Sequence, residues 1–143
     1  MALPNGAGGY QLGDGNLNEP VLGYLADPTT ETGVTAVTLT AAEVTGGILI
    51  ANPGTTGTTY TMPIVVTASG TTGVNDLVSS AKTGSTFTWS VINIGTSTGD
   101  ITMAAGTGTG WTIVGSLTIS DGTSASFIAR KTSDTTWTLY RSA

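Results

Sequence analysis

Apolar and polar residues alternate along most of this chain once Val34 is passed. Val37, Leu39 and Ala41 alternate with Thr38 and Thr40. Ile48-Leu49-Ile50 is a short apolar run, the pattern of a strand covered on both faces. Across 58–66, Tyr60, Met62, Ile64 and Val66 fall on one face and Thr59, Thr61, Pro63 and Val65 on the other. Pro63 has no N–H for a ladder, which predicts an edge or a bulge there. Phe87, Trp89 and Val91 alternate with Thr86, Thr88 and Ser90, and Ile101 and Met103 flank Thr102. Trp111–Val114 and Leu117–Ile119 are separated by Gly115-Ser116, which predicts a tight hairpin turn. Phe127 and Ala129 alternate with Ile128 and Arg130, and Trp137 and Leu139 with Thr138 and Tyr140. The period changes only at 74–81. There Val74, Leu77, Val78 and Ala81 form one helical face, with Gly84 just beyond as a stop.

These segments predict an all-β fold: a β-sandwich or jelly roll of about eight short strands, with one short helix at about 74–81. Composition supports it. Thirty residues are Thr and 21 are Gly. A β-branched side chain sits easily on extended backbone, and glycine supplies turns that need positive φ.

Residues 1–33 follow no period. They are rich in Gly, Asn and Pro, yet Tyr10, Leu12, Leu17, Val21, Leu22, Tyr24 and Leu25 punctuate them. A flexible linker has no use for such residues. The segment reads as an extended N-terminal arm that lies on a surface, either its own domain, 34–143, or a partner.

Charge narrows the choice of partner. Only 9% of residues are charged, and the net charge is −5. Six acids precede the first base, Lys82; from there Lys82, Arg130, Lys131 and Arg141 stand against three acids. Without clustered Lys and Arg, nucleic-acid binding is not expected. The apolar runs fall far short of the ~20 residues that span a bilayer, so no membrane partner is expected either. No basic, apolar leader opens the chain, which points to synthesis in a host cytoplasm.

The chain has no His and no Cys. That removes the usual general base near neutral pH and every thiolate ligand. Ser79-Ser-Ala-Lys82 matches S-x-x-K and Lys82-Thr-Gly84 matches K-T-G, but one lysine would have to serve both motifs. Asp14-Gly-Asn16-Leu-Asn18 copies the start of a calcium loop, but Glu19 replaces its glycine and Leu25 its bidentate acid. Gly106-Thr-Gly-Thr-Gly110 leads into a strand, not into a helix N-terminus that would hold phosphate. No enzyme, metal or cofactor is therefore expected. Trp89 and Trp137 are in phase with core positions; Trp111, after the glycine-rich stretch, is the candidate for a sugar-stacking ring.

Several stretches carry a resemblance: the opening Leu3-Pro-Asn-Gly-Ala-Gly-Gly-Tyr-Gln-Leu-Gly-Asp-Gly-Asn-Leu-Asn-Glu19, Val37–Ile50, Tyr60-Thr-Met-Pro63, the short helix near Leu77, Phe87–Asn93 and Trp137–Arg141. In these the chain resembles bacteriophage capsid decoration, or cement, proteins. The resemblance implies a small β-sandwich or jelly-roll protein of the virion, usually a homotrimer. It would sit on the outer capsid surface and bridge subunits of the major capsid protein. No residue-level site comes with it. The competing expectation is a receptor-binding or glycan-binding adhesion module of a phage tail fibre or spike, using Trp111.

Overall fold

Strict alternation produces the two longest of the described strands. In the structure, a computed structural model describing Leu25 and residues 27–143, Thr86–Asn93 and Ser124–Lys131 pair antiparallel down the middle of a sheet. Phe127 and Ala129 of one and Trp89 and Val91 of the other turn inward.

Ten strands and two short helices are described, in the order β1 (Thr29–Glu31), β2 (Val37–Thr38), α1 (Ala41–Thr45), β3 (Ile48–Ala51), β4 (Thr58–Thr61), α2 (Val74–Leu77), β5 (Thr86–Asn93), β6 (Ile101–Ala104), β7 (Trp111–Val114), β8 (Thr118–Ile119), β9 (Ser124–Lys131) and β10 (Trp137–Arg141). Six form one sheet, ordered β1-β3-β5-β9-β10-β7; four form the other, β2-β4-β6-β8. The expected all-β, two-sheet class is what the chain adopts.

The path between the sheets is specific. From β1 to β8 the chain alternates, placing odd-numbered strands in the six-stranded sheet and even-numbered ones in the four-stranded sheet. Successive coils therefore stack strands in parallel: β1 on β3 on β5, and β2 on β4 on β6. Five of the eight described pairings are parallel, the fifth being β7 with β10. An antiparallel jelly roll does not pair this way. The Gly115-Ser116 turn is likewise not a hairpin. It carries the chain from β7 in one sheet to β8 in the other.

Three local expectations change. The alternation of Val37, Leu39 and Ala41 ends at Thr38, and α1 begins at Ala41. Its start is a capping box: Thr40 Oγ1 accepts from the Glu43 amide at 3.3 Å, and a Glu43 carboxylate oxygen accepts from the Thr40 amide at 2.6 Å. The helix expected at 74–81 is one turn, closed at Val78. β4 stops at Thr61, ahead of the buried Pro63, and lies inside its sheet rather than at an edge. Past the proline the phase reverses: Val65 is buried and Val66 exposed.

The core lies between the sheets. Tyr60, Met62, Ile101, Met103 and Ile119 face Leu49, Trp89, Phe127, Trp137 and Leu139 across it. Rings meet in tilted pairs, with centroids 5.2 Å apart for Phe87 and Trp137, 5.5 Å for Trp89 and Phe127, and 6.1 Å for Trp111 and Trp137. Such pairs add ~0.5–1.5 kcal/mol each beyond their area burial.

Candidate interaction surfaces

Between β4 and β5 the chain makes a long excursion, residues 62–85, that carries α2. Tryptophan indoles secure it and α1 to the sheets. Trp111 Nε1 donates to the Pro63 carbonyl at 2.8 Å, and Trp137 Nε1 to Asn75 Oδ1 at 2.9 Å. Trp89 Nε1 donates to the Glu43 carbonyl at 3.0 Å. Lys131, nearly buried at the end of β9, donates from Nζ to the Ala81 carbonyl at 3.0 Å. Each of these four polar tips thus has a partner, and each partner lies in a helix or in the excursion.

Where the excursion meets α1 the surface opens into a groove of about 850 Å³. Thr40, Ala41, Pro63, Ile64, Ala68 and Leu77 are among the residues lining it, and none of the lining residues is charged. Leu77 stands 48% exposed at its side. Thr38, also in the lining, belongs to β2, the outermost strand of the four-stranded sheet.

The outer faces of the two sheets differ in chemistry. On the six-stranded sheet, register places Ile48, Ile50 and Ile92 together on β3 and β5, and Ile128, Tyr140 and Val114 in one line across β9, β10 and β7. Every other outward position of its strands is Ser or Thr, apart from Arg130. On the four-stranded sheet the outward positions are Thr38, Thr59, Thr61, Thr102, Ala104 and Thr118. One face carries large apolar side chains; the other carries none.

Of the expected arm contacts, Tyr10, Leu12, Leu17, Val21, Leu22 and Tyr24 lie outside the described residues, as does most of the calcium-loop resemblance. Leu25 is described and 51% exposed, with its side chain beside Gly47. Thr29–Glu31, within the expected arm, forms the edge strand β1. Trp111, expected as the exposed ring, is 7% exposed and committed to Pro63, because Val65 and the excursion close over it. Ser79 and Lys82 are exposed, and the Lys82 amide donates to Ser85 Oγ at 3.0 Å. Among the described residues no group of three acids gathers as a cation site.

Tyr60 is the one described group with a marked shift. Burial, and then the charges of Glu31 and Glu43, push its phenol up from 10.0 to about 12. Its hydroxyl donates to the Glu31 carbonyl at 3.4 Å, a structural contact between the sheets. The groove and the two sheet faces were not visible in the sequence, because each depends on which strands become neighbours. The one signal available was the run of apolar residues at both parities, in Ile48-Leu49-Ile50, Val91-Ile92 and Phe127-Ile128.

No family model, no curated protein and no solved structure matches this chain.

Proposed function

We propose that the chain is a virion structural protein that decorates the outer surface of a phage capsid, bridges subunits of the major capsid protein and acts as a homo-oligomer, a trimer in the form the resemblance implies. The observation that carries this reading is the uncharged groove of about 850 Å³ between α1 and the 62–85 excursion. An uncharged, mostly apolar groove of this size suits apolar side chains presented by a segment of a neighbouring protein. The chain as a whole is poor in charge, at 9% of residues, which suits repeated burial against protein. Binding by area needs no catalytic residue. A standard interface covers ~1,600 Å² in total. Several copies acting together multiply a modest single-site affinity by ~10²–10⁴ where the spacing permits.

The arm supplies the second contact. Residues 1–28 precede β1, so removing them spares every described strand. The test is co-sedimentation with capsids that lack this protein. Full-length chain saturates them at a fixed stoichiometry, and the chain without residues 1–28 stays folded by circular dichroism but remains in the supernatant. Full occupancy by the truncated protein would overturn the role of the arm. Absence of binding by the full-length chain would overturn the capsid reading.

A further inference from the structure

The stacked coils of this fold have two ends, and they are finished differently. At one end β7 and β8 are the outermost strands, and core-side residues there stay covered: Trp111 is 7% exposed and Ile119 0%. At the other end β1 and β2 are outermost. Parallel partners share a face, so Thr29 and Glu31 stand on the core side with Leu49 and Ala51, and Val37 stands there with Tyr60. Leu49, Ala51 and Tyr60 are each 0% exposed. One strand further out, Thr29 is exposed, and Glu31 and Val37 are only half-buried. Leu25 and Val34, on either side of β1, are the two most exposed large apolar side chains among the described residues, at 51% and 55%. A stack left like this ends on open core and on two free strand edges, which folds of stacked coils cover with a terminal unit.

We infer that residues 1–24 of the same chain cover this end, resting on β1 and β2 as one more coil. Where the chain enters selects this occupant. Leu25 is already at this end, its side chain beside Gly47 just ahead of β3, and only residues 26–28 separate it from β1. So short a tether holds the segment near the edge at an effective concentration on the order of millimolar, which a separate partner must exceed. Length agrees. Coils at this end advance 20 residues from Thr29 to its partner Leu49, and 23 from Val37 to Tyr60. Stepping back 20 residues from β1 and β2 reaches Gly9–Gln11 and Leu17-Asn18, so residues 1–24 contain a full coil. The same step puts Leu17 in the core-side phase of Val37. Chemistry agrees as well. Val21, Leu22 and Tyr24 lie within four residues of exposed Leu25. The segment's charged side chains, Asp14 and Glu19, fall outside both strand positions. The Glu31 carboxylate at the receiving edge already accepts from the Gly33 amide at 2.7 Å. Thr38 of β2 also lines the groove, so a segment resting on β2 lies beside it. Both contacts proposed above for a capsid then sit at one end of the molecule.

The test uses the free protein and needs no capsid. The chain has no Cys, so single cysteines carry nitroxide labels at chosen points. Thr30→Cys puts a label on the outer side of β1, Thr71→Cys in the groove lining, and Thr118→Cys on β8 at the opposite end. In NMR spectra of the full chain, amides of residues 9–18 are expected to broaden most strongly with the label at 30 and to be spared by the label at 118. By hydrogen exchange, removing residues 1–24 is expected to speed exchange across 29–38 at least tenfold and to leave 86–93 and 124–131 unchanged. Sharp signals throughout 1–24, or unchanged exchange at 29–38 after the deletion, would overturn the inference. Stronger broadening from the label at 71 would overturn it in favour of the groove. Broadening that appears only when an isotopically labelled chain is mixed with a nitroxide-bearing second copy would overturn it in favour of another chain's segment. A failed capsid assay with the expected pattern intact would count only against the decoration reading.

Discussion

Asn75 joins α2 to the sheet through two bonds of unequal worth. Its Oδ1 accepts from Trp137 Nε1 at 2.9 Å, and its Nδ2 donates to the Asp134 carbonyl at 2.7 Å. Trp137 is 1% exposed, so Asn75→Ala leaves a buried indole N–H without a partner. Orphaning such a donor costs ~1–3 kcal/mol. Asp134 is exposed, so water replaces the second bond at little cost. The expected loss is about 2 kcal/mol, or ~5–8 °C in Tm for a domain of this size. The assay is urea unfolding followed by tryptophan fluorescence. A double-mutant cycle isolates the pair: in the Trp137→Phe background the same Asn75→Ala change is expected to cost only ~0.5 kcal/mol, giving a coupling of about 1.5 kcal/mol. Because α2 forms part of the groove wall, faster hydrogen exchange of the Asn75 amide, which donates to the Val65 carbonyl at 3.0 Å, should accompany the loss. Additive costs in the cycle would show that the indole does not hold the excursion, and the reasoning would fail.

Other substitutions probe the core and its turns. Thr58 Oγ1 is buried without a hydrogen-bond partner, so Thr58→Val is expected to stabilise the protein by ~1 kcal/mol in the same urea assay. Gly99 packs so closely that an added Cβ would lie 2.4 Å from the Gly54 carbonyl oxygen; Gly99→Ala is expected to cost ~1–3 kcal/mol, measured as a drop in Tm. With its folded pKa raised from 10.0 to about 12, Tyr60 contributes stability that is complete below pH 10 and is lost as pH rises through 12. Urea midpoints across that range should fall for wild type more steeply than for Tyr60→Phe.

The strand content was legible because a half-buried strand leaves a period of two, and Phe87, Trp89 and Val91 fall inward as that period requires. The helix at Ala41–Thr45 was masked by the same logic. Ala41 continues the phase of Val37 and Leu39, and small alanine fits either structure. The decisive signal was Thr40-x-x-Glu43, a capping box in plain view. Pairing was not legible. A strand's pattern records which face is buried but not which strand lies beside it, and coils of unequal length leave no repeat to betray the alternation between sheets. Gly115-Ser116 shows the limit, since the same turn chemistry serves a hairpin and a crossing from β7 to β8. The candidate surfaces were hidden for this reason. Ile128, Tyr140 and Val114 become neighbours only when β10 inserts between β9 and β7.

The capsid role stands or falls on where the protein sits. Cryo-electron microscopy of the purified particle at subnanometre resolution, with this two-sheet fold docked into the density, answers that directly. The expected result is many copies on the outer shell at junctions between major capsid subunits, with the groove and the N-terminal segment turned toward the shell. A few copies at the tail, or a shell without density for this fold, would contradict it.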